Sequence, residues 1–299
     1  SSAASDVYKR QDMYRYLHDQ TLHLANRGLT PDEIAEEMKL PASLASQFNC
    51  RGYYGTLIHN VKAQYDLYFG WFNGNPAHLD PLPPSELGAK YVEAIGGADK
   101  VLEVAKASYA KGEYRWVATL LDNLVFAEPE NKEARQLLAD TYTQLGYQAE
   151  SGPWRNFYLT GARDLFKKDV PYTSQLINDG VLAQMDMGTL LDYCAIQLNG
   201  EKAGGKEVVI NINFTDTKEK VMLMLNNSVL NHRLGSQDEK ADLTMEIAKM
   251  DFVKLFFGRT DLQTLSKMNK VKTIGDTKAI DIIRSTYEPA DPNFKIVLP

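Results

Sequence analysis

Apolar side chains recur at helical spacing through most of the first half of the chain. Asp12 can cap a first helix, which the run from Asn26 to Gly28 would end. Thr30 then supplies a second cap, followed by Pro31 at the first helical position and acidic residues in the first turn. A further short helix opens at Pro41. This pattern predicts a series of short helices that pack around one another in an orthogonal bundle.

The segment that follows carries an internal repeat. Ala105 recurs 34 positions later as Ala139, and Gly112 recurs in the same way as Gly146. A period of about 34 residues, with a small residue in the first helix and glycine in the turn, is typical of tetratricopeptide helix pairs. The pattern predicts one full repeat over residues 102–130 and a capping helix after it.

After Lys168 the period of the pattern changes. Residues 174–199 are predicted to form one helix, ended by Gly200. From Glu207 onwards apolar and polar residues alternate, as in a half-buried strand. Further strands are predicted at 220–225, 229–234, 241–247 and near 271–274, with helices near 251–257 and 277–287. This half of the chain is therefore predicted to be an α+β domain.

The 299-residue chain thus divides into two predicted domains. Residues 1–11 are small and polar without a sustained period, and their sequence looks like the translation of sequencing-adapter read-through. We therefore expect a non-native or disordered leader. An all-α domain with tetratricopeptide-like helix pairs is predicted over residues 12–168. An α+β sheet domain is predicted over residues 169–299, which makes the fold class of the whole chain α+β.

The charge balance and hydropathy exclude several classes of protein. The 33 Lys and Arg residues against 39 Asp and Glu leave a net charge of −6, which offers no electrostatic reason to bind nucleic acid. No apolar run is long enough for a membrane span, and the start of the chain has no signal-peptide pattern. The sequence predicts a soluble protein and leaves its compartment open between periplasm and cytoplasm.

Neither the cysteines nor the histidines form a metal-binding motif. Cys50 and Cys194 lie far apart, and none of the five histidines has a partner at i+4 or in a His-x-His pair. His18 and His23 could be imagined as ligands, but their i, i+5 spacing spreads them around a helix. We expect both to be structural, and no metal is predicted to bind this chain.

Several stretches of sequence resemble one family. They are MYRYLHDQTLHLANRGLTPDEIAE from Met13, RGYYGTLIHNVKA from Arg51, the stretch from Tyr68 to Pro76, YRWVATLLDNLVFAEPENKEAR from Tyr114 and LGYQAESGPWRNFYLTGA from Leu145. They are similar to the alkyl sulfatases of the metallo-β-lactamase superfamily. The resemblance implies a zinc-binding catalytic domain, a helical dimerisation domain and a C-terminal domain similar to sterol carrier proteins. Residues 12 to about 165 match the second of these, and residues from about 170 to 299 match the third.

One departure from the family bears on activity. The family's catalytic domain carries a His-x-His-x-Asp-His motif that, with further ligands, holds two zinc ions, and this sequence lacks that motif. The resemblance therefore implies a C-terminal portion, inactive alone, of an enzyme that hydrolyses linear primary alkyl sulfate esters. It also implies a homodimer and an alkyl sulfate or similar long-chain amphiphile as ligand. The alternative is a non-enzymatic dimeric module that binds a hydrophobic or lipid ligand.

The best candidate site lies in an aromatic-rich segment that begins at Arg51. Its members are Arg51, Tyr53, Tyr54, His59 and Asn60. A sulfate monoester needs donors that keep their protons at neutral pH, and guanidinium, phenol and amide groups do so. The resemblance suggests that this segment contributes to sulfate binding. The alternative is that the tyrosines pack a bend and that His59 is a hydrogen-bonded interface histidine.

Two apolar surfaces have competing interpretations. Met222, Met224, Phe252, Phe256 and Phe257 could line a groove for an alkyl chain, although a strand packed between helices would need the same residues and is favoured. The tetratricopeptide-like segment could bind a peptide in its concave face. Because fewer than three repeats cannot bury their own ends, packing on a partner subunit is the better hypothesis.

Overall fold

The computed structural model describes residues 3–166, 178–291 and 293–299. The chain forms two compact units, one of residues 1–170 together with 294–299, the other of residues 171–293. None of the helices in the described ranges combines the length and the apolar character needed to cross a bilayer.

The described part of the first unit is helical. Its α-helices are α1 (Ala3–Ala25), α2 (Pro31–Glu37), α3 (Ala42–Ala45), α4 (Leu57–Phe69), α5 (Pro84–Ile95), α6 (Ala98–Ala110), α7 (Tyr114–Ala127), α8 (Lys132–Gln148) and α9 (Gly152–Asp164). Short 3-10 helices at Phe48–Cys50 and Pro76–His78 flank α4. The prediction of a helical first domain is confirmed.

The first two helices differ in how well their starts were predicted. α1 begins at Ala3 rather than at Asp12, so the expected cap lies inside the helix and the helix runs through the predicted leader. Alanine, lysine, arginine and glutamine in that stretch favour helix, which explains the extension. α2 begins as predicted, because Thr30 N donates to Glu33 Oε2 at 2.8 Å and Glu33 N donates to Thr30 Oγ1 at 3.4 Å. Together these two bonds form a capping box.

The 34-residue period corresponds to α6, α7 and α8. Ala105 is fully buried between helices, and Gly112 makes the turn from α6 to α7 with φ +78°, a left-handed conformation that favours glycine. Gly146 lies inside α8 instead of in a turn. A Cβ there would lie 2.9 Å from Leu159 Cδ2, so its glycine lets α9 approach closely. The second copy of the repeat therefore keeps the small residue but uses it for helix packing.

The last residues of the chain join the helical unit. Leu298 is buried in the same cluster as Leu121 and Leu138, and Val297 Cγ1 would lie 3.5 Å from a Cβ at Gly161 of α9. The sequence pattern placed this segment in the second domain. Val297 and Leu298 pack on the helical core, whereas Phe294 and Ile296 are exposed, and residues 294–299 belong to the first unit.

The second unit combines helices with one sheet. Its elements are α10 (Asp179–Gln184), α11 (Met187–Ala195), β1 (Val208–Phe214), β2 (Lys220–Asn226), β3 (Val229–Leu234), β4 (Leu243–Ile247), α12 (Lys249–Phe256), α13 (Leu262–Lys267), β5 (Val271–Gly275) and α14 (Lys278–Arg284). The predicted α+β class is confirmed.

The prediction of a single helix over residues 174–199 is wrong in the described part. The chain breaks between α10 and α11, where the Asp186 carboxylate accepts a hydrogen bond from Thr189 N at 2.9 Å. An aspartate at such a position favours a helix start over a helix interior. Residues 174–177 lie outside the described residues.

The strands are ordered β3-β2-β1-β4-β5. β1 and β4 run parallel, and the other neighbouring pairs run antiparallel. Ile210 of β1 pairs with Leu223 of β2 and Leu243 of β4, and all three side chains are buried in one cluster with residues of the helices. The helices therefore cover this face of the sheet.

Candidate functional site

A cavity of about 550 Å³ lies in the first unit at the start of α4. Arg51, Tyr53, Tyr54 and Asn60 line it, together with Glu150, which precedes α9. The volume is within the range of small-molecule sites. Four of the five residues predicted for the candidate sulfate site are therefore brought together.

The tyrosine pair is fixed through its backbone. Gly152 N donates to Tyr53 O at 2.9 Å, and the Ser151 hydroxyl donates to Tyr54 O, so the start of α9 holds the loop. The Thr56 side chain caps α4 by accepting a hydrogen bond from His59 N at 2.9 Å. The backbone is thus positioned while both phenol rings stay exposed, Tyr54 at 78%.

Asn60 lies against the same loop. A Cβ at Gly55 would be 3.1 Å from Asn60 Oδ1, a tighter contact than side chains usually make. The glycine after the tyrosine pair therefore leaves room for the Asn60 amide beside the loop backbone. This places an uncharged donor at the same cavity as the two tyrosines.

Arg51 already has an anionic partner. Its Nε donates to Glu150 Oε1 at 2.7 Å, and its Nη2 contacts the same oxygen. One edge of the guanidinium is thus occupied by a carboxylate, which is the geometry an oxyanion ligand would use. Sequence reasoning missed Glu150, although it lies within the LGYQAESGPWRN stretch that carried the resemblance.

A second arginine contributes to the cavity from α1. Arg10 Nη1 donates to Asn49 O at 2.9 Å, and Arg10 Nε donates to the Tyr14 hydroxyl at 3.1 Å. Arg10 and Tyr14 both line the cavity. Arg10 was overlooked because residues 1–11 were set aside as a leader.

His59 does not line this cavity. Its Nδ1 accepts a hydrogen bond from Trp154 Nε1 at 3.2 Å, which links α4 to α9. An indole N–H can only donate, so His59 Nδ1 is the acceptor in this contact. This geometry corresponds to the interface histidine that was the alternative interpretation.

The two histidines of α1 are not arranged as metal ligands. His18 Nδ1 lies 2.8 Å from Asp19 Oδ1 and its Nε2 lies 2.9 Å from the Tyr68 hydroxyl, while His23 is exposed. Hydrogen bonds from His18 and then Arg15 hold the pKa of Asp19 below its usual value. In the described part of the chain no three His, Cys, Asp or Glu side chains form a group suited to a metal ion.

The five residues predicted for an alkyl groove are not brought together. Phe252 and Phe256 are buried in the core on the helix-covered face, where Phe257 packs against them. Met222 and Met224 pair with Asn211 and Val209 of β1 and lie outside that core, on the opposite sheet face. On that second face the Asn211 amide of the neighbouring strand β1 donates to the backbone oxygen of Asp238, so a loop covers part of it. The prediction of one shared groove was wrong because alternate residues of a strand point to opposite faces.

The fold and the cavity together define a two-unit protein, in which a helical unit that carries the candidate site is combined with an α+β unit. Residues 30–168 match the family model described as alkyl sulfatase dimerisation, and residues 175–299 match the model described as alkyl sulfatase C-terminal. These two parts of the chain belong to the alkyl sulfatase family. The resemblance seen in the sequence is confirmed.

Similar proteins support the same assignment. A linear primary-alkylsulfatase of Pseudomonas sp. is 46% identical over 292 residues, which are 97% of this chain and 43% of that protein. An alkyl/aryl-sulfatase of Saccharomyces cerevisiae is 40% identical over 97% of this chain and 45% of that protein. The solved structure of a stereoselective inverting sec-alkylsulfatase from Pseudomonas sp. superposes with a TM-score of 0.92 at 41% identity, covering 98% of this chain and 46% of that one. The chain spans about half the length of these relatives.

Proposed function

We propose that this chain is the non-catalytic portion of an alkyl sulfatase that hydrolyses linear primary alkyl sulfate esters to an alcohol and sulfate. The observation that carries the proposal is the similarity to a linear primary-alkylsulfatase over 97% of the chain. In this proposal the first unit dimerises and helps to bind the sulfate group, and the reacting centre is supplied by a domain outside these 299 residues.

The reaction in the family is expected to use two zinc ions. A catalytic zinc site takes three protein ligands from His, Asp, Glu or Cys. The residues that the structure describes contain no group of this kind, so they do not fit the metal. No step of the reaction is therefore assigned to them.

The role that fits the first unit is recognition of the sulfate group. Tyr53, Tyr54 and Asn60 offer uncharged donors around one cavity. Hydrogen bonds from such donors to a charged ligand are worth about 1.5–3 kcal/mol each. Arg51 can add a charged donor once its edge is released from Glu150, so the carboxylate competes with the ligand for the same group.

Binding can be tested with the isolated chain. Inorganic sulfate and octyl sulfate would be titrated into ¹⁵N-labelled protein, and the amide shifts of Gly55 and Asn60 would be followed. We expect saturable shifts, and the variants Tyr54→Phe and Asn60→Ala should bind roughly tenfold more weakly. Tyr147→Phe is a matched control, because Tyr147 is an exposed tyrosine of α8 away from the cavity lining. Equal affinity in all four proteins would refute the assignment of the cavity.

Catalysis is tested separately. With added zinc the purified chain is expected to release no sulfate from dodecyl sulfate, because the described residues supply no metal site. Zinc-dependent turnover by the 299-residue chain would overturn the proposal that it is the non-catalytic portion.

A further inference from the structure

A second cavity of the helical unit, of about 540 Å³, opens between α5 and α7. It is called the α5–α7 groove below. Its principal lining side chains are Leu82, Leu87, Tyr91, Trp116, Leu120 and Phe126. Trp116 and Tyr91 are each 50% exposed and Leu82 is 47% exposed, so large apolar side chains face solvent around the opening.

The floor of the α5–α7 groove is rigid. Val92, Val101 and Leu120 are buried beneath it. α5 and α7 are in backbone contact at Gly88, where a Cβ would lie 2.4 Å from Asn123 O. Two helices held this closely cannot move together to close the opening, so the concave surface is preformed.

One polar group at the groove lacks a partner. The half-buried Asp122 carboxylate lines the groove, and burial raises its pKa above the usual value. No hydrogen bond or ion pair to this carboxylate occurs within the described ranges of the chain. The Asp122 oxygens are not fully buried, so water reaches them in the single chain and a donor from another molecule can replace that water.

The groove has the composition of a protein interface. Exposed aromatic side chains around an apolar centre, with few charges, are typical of the core of such a contact. Every lining residue falls within residues 30–168, the part that matches the dimerisation family model. The α6–α7 pair also has fewer neighbouring repeats than a helical stack needs to bury its own faces.

We propose that the α5–α7 groove is the contact surface between two copies of this chain. The inference rests on the proposed dimerising function and locates it on the molecule. In a two-fold dimer the same surface is used by both subunits. Each substitution in the groove therefore alters the interface twice.

The test is the oligomeric state of the full chain, measured by sedimentation equilibrium and by light scattering after size exclusion. Wild type is expected at twice the 33.6 kDa chain mass. Trp116→Glu and Tyr91→Glu place a charge in the groove at half-exposed positions. Each should raise the dissociation constant of the dimer at least 100-fold, since aromatic residues at interface centres dominate binding.

Phe157→Glu is the matched control. Phe157 is 78% exposed on α9 and does not line the groove, so this variant should remain dimeric. Far-UV circular dichroism checks that each variant is folded, and Trp116→Ala replaces Trp116→Glu if the charged variant unfolds.

The outcomes separate the inference from the function on which it rests. Folded groove variants that remain dimeric, or a control that dissociates, would overturn the inference and leave the dimerising function intact. A wild-type chain that is monomeric at every concentration would overturn the dimerising function as well. The same measurement of oligomeric state with octyl alcohol added tests an amphiphile as occupant of the groove. Dissociation of the dimer by the alcohol would support the groove as the interface. Saturable binding of the alcohol to the groove in a protein that stays dimeric would count against it.

Discussion

Gly88 is the point where α5 and α7 come closest, and the substitution Gly88→Ala tests how tightly that contact is fixed. A Cβ at this position would lie 2.4 Å from Asn123 O and 3.3 Å from Ala127 N. Both are backbone atoms of α7, so neither can rotate away. The methyl group can be accommodated only if the two helices move apart.

Two opposing contributions determine the magnitude. Alanine favours a helix interior over glycine by about 1 kcal/mol. Overpacking a close-packed interface costs typically about 1–3 kcal/mol. The 2.4 Å contact is 1.0 Å shorter than the 3.4 Å at which ordinary contacts begin, which puts Gly88 at the upper end of that range. We expect a net loss of about 2 kcal/mol in the free energy of unfolding of the first unit, or roughly 4–8 °C in Tm.

Two other helix glycines provide matched controls. A Cβ at Gly161 would be 3.5 Å from Tyr142 Cδ2, an ordinary contact, so Gly161→Ala should stabilise the unit by up to about 1 kcal/mol. A Cβ at Gly146 would be 2.9 Å from Leu159 Cδ2, a side-chain atom that can move, so Gly146→Ala should fall between the two.

The assay is urea unfolding followed by far-UV circular dichroism, fitted with separate transitions for the two units. We expect Gly161→Ala to be the most stable of the three variants, Gly146→Ala to be intermediate and Gly88→Ala to be the least stable. A Gly88→Ala variant as stable as wild type would show that the helices adjust freely, and the rigidity argued for the α5–α7 groove would fail with it.

Three further predictions concern charged groups. Glu150→Gln should strengthen sulfate binding by up to about fivefold, measured by titration of the labelled chain, because an exposed ion pair worth at most about 1 kcal/mol no longer competes for the guanidinium; unchanged affinity would contradict the competition. In the single chain burial raises the pKa of Asp122, so the ionised carboxylate favours the unfolded state, and this cost appears as pH rises through the range above the usual value; in the monomeric Trp116→Glu background, where no partner chain covers the groove, Asp122→Asn should therefore raise Tm at neutral pH, and the gain should vanish near pH 3. Lys249 is buried and donates to the backbone oxygens of residues 183 and 185, so Lys249→Met should destabilise the second unit by about 2–3 kcal/mol in urea unfolding, whereas the exposed Lys267→Met should have little effect.

The sequence pattern predicted those features of the fold that depend on interactions between residues close together in sequence. The 34-residue period located α6 and α7 because the same packing contacts recur in each copy, and Gly112 occupies the left-handed turn that the pattern required. The capping box at Thr30 was predictable for the same reason, since both partners lie within four residues. Strands β1 and β4 followed from the alternation of apolar and polar residues along them.

Contacts between residues far apart in sequence could not be predicted from the sequence pattern. Arg51 and Glu150 are 99 positions apart, and the local sequence around either residue does not predict their contact. His59 was grouped with the cavity by its nearness in sequence, but its rotation on α4 directs it to Trp154. One miss could have been avoided: Met222 and Met224 stand at alternate positions to the buried Leu223, so they could not share a face with the phenylalanines that pack on it.

The packing of Leu298 on the helical core has a consequence for synthesis of the chain. A ribosome delivers residues in order, so α6 to α8 emerge long before the segment that fills their core. During that interval the helical unit exposes an apolar site, while the sheet unit can complete its own folding first. A truncation that removes Val297 and Leu298 would therefore weaken the helical unit, although most of that unit lies at the opposite end of the sequence.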